Sequence, residues 1–427
     1  MSFTSGSRWS DVAVATGARA VSVCGDFLAA TALLLTLQQR GAGSYAVAAL
    51  LLAAAVPPVL LVRWTGRLAD RLDSRMLLVV TGLAQAVICA AMVYVSNPIA
   101  LIGLAALLGC GYAQTQPTLA ALLPAMVRRE DLARASALGQ TASSVGMLIA
   151  PALGGVLVGQ FGLRIPLMFD AVSYLAIVAG ALVIRTRRRN GVAVNPVEEA
   201  IRKTSDTVAA GDPAATGSAS ASTWRLRDDR LVWTMIVLFG AVIAAVSSVN
   251  VADVFFIRGV LHSTTTMYGV ISAVWTGAAV IGAWFLTRRH AADAGLARMM
   301  VGALVLTCVS ILCACTVRSV APLVPLFLLG GASNGAENVA ATVVLSRRTP
   351  GEFRGRVFAV YGAVANGGQA VGLLAGGVLL DLVPVRLAIA ATCGFGLIVT
   401  VVFAVPMLRA AAQERTVPAP AMVDVAA

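Results

Sequence analysis

A chain of 427 residues, 59% hydrophobic and only 12% charged, cannot hide its apolar side chains and still present a polar exterior to water. That excludes two or three soluble domains, the usual reading of this length. The net charge of +12 does not point to nucleic acid either: the arginines sit in short links between apolar runs, and Lys203 is the only lysine, a pattern of topology signals and lipid headgroup contacts.

Repeated apolar runs of about 20 residues match the roughly 30 Å hydrocarbon core of a bilayer. The short alternating segments of a barrel are absent. The fold class is therefore an all-α polytopic membrane protein. Hydropathy gives twelve spans: 13–37, 44–63, 76–95, 98–122, 136–159, 165–185, 231–256, 266–287, 297–316, 320–345, 356–381 and 385–408. The first ten residues are polar, and the run that follows is long enough to stay as a span rather than be cleaved. With the N-terminus cytoplasmic, the external links hold five basic residues, Arg40, Arg164, Arg258, Arg318 and Arg386. Arg19 lies inside the first run, and the other 26 of 32 fall on the cytoplasmic face. This asymmetry predicts an even number of spans with both termini cytoplasmic.

Between the second and third spans stands Arg63-Trp64-Thr65-Gly66-Arg67-Leu68-Ala69-Asp70-Arg71-Leu72-Asp73-Ser74-Arg75, four arginines and two aspartates in a link too short to fold alone. Residues 186–230 are rich in Ala, Ser, Thr, Gly and Asp and read as a flexible cytoplasmic linker, with a short interfacial helix from Trp224 to Arg230. The chain thus divides into a bundle over 1–185, the linker, a second bundle over 231–409, and a cytoplasmic tail over 410–427. The halves are alike. At an offset of 222, Glu130 meets Glu352, Arg134 meets Arg356, Gly146 meets Gly368, Gly154-Gly155 meets Gly376-Gly377, and Arg164 meets Arg386. Two six-span halves of equal orientation form a parallel repeat about an axis along the membrane normal.

Over nearly its whole length the chain resembles the major facilitator superfamily. Gly66-Arg67-Leu68-Ala69-Asp70-Arg71 is similar to that family's signature between helices 2 and 3, and Leu72-Asp73-Ser74-Arg75 departs from its commonest form, which has Gly where Asp73 stands. Gly146-Met147-Leu148-Ile149-Ala150-Pro151-Ala152-Leu153-Gly154-Gly155 resembles the antiporter motif of exporters, with Ala150 in place of Gly; Gly372, Leu373, Gly376 and Gly377 echo it without the proline. Ser22-Val23-Cys24-Gly25-Asp26 resembles the first helix of twelve-helix drug and siderophore exporters related to macrolide efflux pumps. The fourth span lacks the membrane arginine of many drug:proton antiporters, and the link at 288–298 holds only a degenerate signature. The resemblance implies a monomeric multi-pass protein of a bacterial cell membrane, with a small-molecule substrate, protons and the lipid bilayer as partners, no nucleic acid and no cofactor.

An ionisable side chain at mid-membrane costs about 2.5–3.5 kcal/mol on insertion scales, so each needs a reason. The resemblance places spans 1, 4, 7 and 10 around a central cavity, which puts Asp26 and Glu337 on the pathway, one from each half. A carboxyl group in a half-dry cavity can trade a proton as its access to water changes. Asp26 and Glu337 are therefore the proton-coupling candidates, and a fixed hydrogen bond between helices is the structural alternative for both. Asp170 reads as packing; Asp253 pairs with Arg258 or faces external water. The uncharged candidates for the substrate wall are Tyr112, Gln114, Gln116, Ser247, Asn250, Asn334 and Asn338, each of which serves equally as an interhelical hydrogen bond. By resemblance, Gly66, Asp70 and Arg71 form a cytoplasmic gate with Arg356 at the start of helix 11, where an anion suits a helix N-terminus, and Arg134 is its repeat mate. Gly146, Pro151, Gly154, Gly155, Gly372, Gly376 and Gly377 are expected at the seam between the halves, where small residues allow close approach.

The functional expectation is export of small amphipathic organic molecules, drug, antibiotic or secondary metabolite, by proton antiport and alternating access. A siderophore exporter or an uptake symporter of the same fold is the alternative, and a non-transporting sensor a more distant one. An enzyme is disfavoured. The two histidines, His262 and His290, fall in links on opposite sides of the membrane, no nucleophile–base pair or metal cluster is visible, and a Walker A loop is absent. The seven cysteines lie within apolar runs and read as small packing residues.

Overall fold

The computed structural model describes residues 7–128, 131–184, 226, 229–288, 292–349 and 353–413. The described residues form twelve long helices: α1 (Trp9–Gln39), α2 (Ser44–Arg71), α3 (Ser74–Met92), α4 (Pro98–Met126), α5 (Leu132–Phe161), α6 (Arg164–Val183), α7 (Arg230–Val260), α8 (Thr265–Thr287), α9 (Asp293–Ala314), α10 (Leu323–Arg348), α11 (Arg354–Leu382) and α12 (Val385–Gln413). Helix α7 carries a break at Ser248 and a π-helical last turn, Phe255–Val260. Eleven of the twelve are long and apolar enough to cross a membrane. The exception is α10, whose middle carries Ser333, Asn334, Glu337 and Asn338 among glycines.

The helices run past the hydropathy limits because Arg, Leu, Ala and Asp do not stop a helix. The arginine-rich link is the clearest correction. Helix α2 continues through it to Arg71, leaving only Leu72 and Asp73 between helices. The turn comes where Asp73 caps α3, accepting from the backbone N–H groups of Arg75 at 2.8 Å and Met76 at 3.4 Å. Asn97, Asp229 and Thr264 cap α4, α7 and α8 in the same way. Arg75 then reaches across to α6, donating from Nη2 to the carbonyls of Leu182 and Ile184, both at 2.8 Å. An arginine thereby satisfies two carbonyls that a helix end leaves open. Helix α12 extends to Gln413, past the expected boundary at 409. Of the expected linker over 186–230 only Leu226, Asp229 and Arg230 are described, so the interfacial helix expected from Trp224 to Arg230 falls largely outside the described residues, as does the tail from 414.

Five helix pairs build the first half: α1 with α5, α1 with α6, α2 with α4, α3 with α4 and α3 with α6. The second half repeats the same five, six helices later: α7 with α11, α7 with α12, α8 with α10, α9 with α10 and α9 with α12. Between halves the main pairs are α5 with α8 and α2 with α11, which the repeat exchanges. Two six-helix bundles related by pseudo-symmetry follow directly.

The bundles meet unevenly along their length. The far end, opposite the start of α1, holds Ser44 Oγ donating to the Gly377 carbonyl at 2.8 Å, and Gly155 facing the backbone of Thr265 and Gly269. Gly277 meets Leu148 near mid-depth. One buried apolar cluster spans both bundles here, joining Leu33, Leu35 and Val47 to Val251, Phe256 and Ile271. At the near end the second bundle keeps a cluster of its own, around Met235, Phe239, Met300, Val344 and Met407.

That near end is held by an ion-pair clasp. Arg348, at the end of α10 and only 11% exposed, bridges Asp229 at 3.2 Å and Asp293 at 3.3 Å. Three helix ends are joined by one guanidinium. Removing Arg348 takes this cation from the half-buried Asp229, while Asp293 keeps Arg347 at 3.5 Å, and costs about 1–3 kcal/mol. Arg348→Ala should therefore lower the thermal unfolding temperature of the purified protein, and an unchanged melting curve would show that the clasp carries no stability.

Candidate functional site

The α1–α6 crossing is built around Gly25. A Cβ there would stand 2.5 Å from both Asp170 Oδ1 and Ser173 Oγ. Only the absence of a side chain lets α6 approach so closely. The next residue, Asp26, is half-buried, and Tyr174 on α6 donates its hydroxyl to Asp26 Oδ1 at 2.5 Å. Asp170 is 1% exposed; Cys89 Sγ on α3 donates to its Oδ2 at 3.0 Å. Tyr112 on α4 is partly exposed and lies within electrostatic reach of Asp26 and Arg19. Two acids, two phenols and a thiol thus gather where α1, α3, α4 and α6 converge.

Glu337 sits differently. It is 3% exposed, and its two oxygens accept from Asn334 Nδ2 at 2.9 Å and from Thr307 Oγ1 of α9 at 3.3 Å. The repeat contains a matching bond: Thr115 Oγ1 of α4 donates to Gln85 Oε1 of α3 at 3.2 Å. Adding the offset of 222 carries Gln85 to Thr307 and Thr115 to Glu337. Glu337 therefore ties α10 to α9, in the place where the first half uses an uncharged pair to tie α4 to α3.

The other predicted residues separate into two groups. Gln114 is buried and donates to Thr118 Oγ1 of its own helix at 3.2 Å, and Ser247 is buried against Gly372. Asn250 and Asn338 are exposed, Gln116 and Asn334 half-buried, and Asn338 donates to the Asn334 carbonyl at 2.7 Å. The expected Asp253–Arg258 pair does not form: Arg258 Nε and Nη1 are buried without a hydrogen bond among the described residues. Gly66, Asp70 and Arg71 lie in the last turns of α2, and their side chains are outside the described set. Arg356 is exposed in the first turn of α11, and Arg134 stacks over Trp9 at 5.2 Å, inside its own half.

The glycines split by a rule that the sequence does not display. Gly146 and Gly154 face α1, while Gly372 and Gly376 face α7, so these four pack within their own halves rather than at the seam. Gly155 faces α8 and Gly377 faces α2, across the seam, and the Pro151 carbonyl meets Gly269 there. Adjacent glycines on one helix thus serve two different neighbours, because successive helical positions point about 100° apart. Nothing in the hydropathy pattern singles out Tyr174 or Thr307, or gives Cys89 more than a packing role. The one available signal was Asp170 and Tyr174 four residues apart, on one face of α6.

The profile of the Major Facilitator Superfamily matches residues 15–292 and again 290–422. The chain belongs to the major facilitator superfamily. Solved structures of similar shape include a bacterial homologue of the human lysosomal transporter Spinster, inward-facing and unoccupied, at 13% identity and TM-score 0.70, covering 98% of this chain and all of that one. A bacterial homologue of the iron transporter ferroportin, inward-facing, aligns at 14% identity and TM-score 0.68, over 94% and 99% of the two chains. The nucleoside transporter NupG aligns at 13% identity and TM-score 0.67, over 92% and 98%. At such identities the likeness is one of fold. No curated protein matches the chain in sequence. The chain is a multi-pass membrane protein of a family of transporters rather than of enzymes.

Proposed function

We propose that this transporter exports small amphipathic organic molecules, of the drug, antibiotic or secondary-metabolite kind, in exchange for protons. The supporting observation is Asp26: a half-buried carboxyl in the first helix, held by the hydroxyl of Tyr174 and within electrostatic reach of the partly exposed phenol of Tyr112. Among the described residues its hydrogen bond is to the Tyr174 hydroxyl rather than to a cation, which leaves it able to alternate between a proton and a bound cargo group. Among the described residues Glu337 is held through both oxygens, by α9 and by its own helix, which favours Asp26 as the exchanging acid. The export direction and the kinship with macrolide-efflux-like exporters rest on the Pro151 motif and on the Ser22–Asp26 stretch.

With the termini cytoplasmic, the closed far end is external and the arrangement is inward-facing. Gly66, Asp70 and Arg71 then close against Arg356 in the outward-facing state, with Arg134 as the repeat mate. The test is proton flux in reconstituted vesicles. Adding compounds from a chemical panel should dissipate an imposed pH gradient for some of them, and only when the protein is present. Transport of a compound with no proton movement would reject antiport; no response to any compound would favour a sensor.

A further inference from the structure

We propose that Asp170 is a positioning residue for proton exchange at Asp26, an assignment that rests on Asp26 being the exchanging acid. Asp170 is too costly to be mere packing. It is 1% exposed, and among the described residues none of its hydrogen-bond partners is a cation. Its Oδ2 has the Cys89 thiol, a weak donor. Its Oδ1 has Ser173 Oγ at 3.1 Å, but that hydroxyl lies nearer the carbonyl of Asp170 itself, at 2.7 Å, and has one proton to give. A leucine or an asparagine would fill this space at a lower desolvation cost.

What the carboxyl gains is proximity. Gly25 opens α1 so that Asp170 reaches its backbone one residue before Asp26. Tyr174, one turn further along α6, holds Asp26 by its hydroxyl. Both acids are thus tied to the same face of one helix. A negative charge on either opposes a charge on the other, and close pairs of this kind exchange protons jointly. Any slide of α6 against α1 changes that opposition and so changes when Asp26 releases its proton. The other ionisable groups facing the pair are Cys24 on α1, Cys89 on α3, Tyr112 on α4 and Tyr174 on α6, with Arg19 near Tyr112. Helix α5, packed along α1, has no ionisable side chain between Arg134 and Arg164.

The experiment measures the protons released when a compound active in the vesicle assay is added to the purified protein, in weak buffer, at each pH of a series. Asp170→Asn should keep the release but move its midpoint by about one pH unit. Asp26→Asn should abolish it. Release from Asp170→Asn at the parent's midpoint would overturn the proposal and leave Asp26 standing, whereas release persisting in Asp26→Asn would reject Asp26 itself. Should Asp170→Asn fail to fold, Cys89→Ser changes one atom in contact with Asp170. A displaced midpoint in that variant supports the proposal, and an unmoved one overturns it.

Discussion

Asp26→Asn should abolish proton-driven transport in vesicles while the protein still folds and inserts. The substitution keeps the size of the side chain and one carbonyl oxygen to accept the Tyr174 hydroxyl, so the α1–α6 crossing loses little. A net change of about 1 kcal/mol is the scale for one altered hydrogen bond. What it removes is the ionisable proton. Stability and coupling are thereby separated, and a thermal melt beside a pH-driven flux assay reads both. Glu337→Gln is the matching control. Glutamine keeps an oxygen for Asn334 and can donate its amide to the Thr307 hydroxyl, so a tie between α9 and α10 predicts coupling retained with little change in stability. Full proton-driven flux in Asp26→Asn would remove this acid from the mechanism; lost flux in Glu337→Gln at unchanged stability would move the coupling to the second half.

Gly155→Leu should shift the transporter away from the far-end-closed state. A Cβ alone at Gly155 would lie 2.5 Å from the Thr265 carbonyl oxygen and 2.9 Å from Gly269 Cα, both backbone atoms of the other half. Overpacking of this sort costs about 1–3 kcal/mol. Because the clash exists only while α5 and α8 are together, the whole cost falls on one state. That converts to roughly a 5- to 150-fold change in the balance of states. A cysteine placed by Thr266→Cys should then react faster with a membrane-impermeant thiol reagent, and transport should slow. Gly154→Leu supplies the contrast. Its side chain would meet Thr31 and Leu28 of its own half, so it strains one bundle without prising the two apart. Equal labelling in Gly155→Leu and the parent would mean that this contact does not open during the cycle.

Much of the architecture was already written in the chain. Twelve apolar runs, the placement of arginines and the offset of 222 between halves follow from rules that act along the sequence: the thickness of hydrocarbon, the cost of charge and the repetition of residues. Asp26 was legible for the same reason, as an acid in an otherwise apolar run. The tertiary structure alone decided which surfaces those residues face. It turned Glu337 toward Thr307, paired Asp26 with Tyr174 from 148 residues away, and gave Gly154 and Gly155 different neighbours. Hydropathy reports how far a side chain is from water, not the direction in which it points. Direction is set by how helices cross, and those crossings depend on partners far off in sequence. The sequence therefore determined that a buried acid must be explained, and the packing of α1 on α6 determined what holds it.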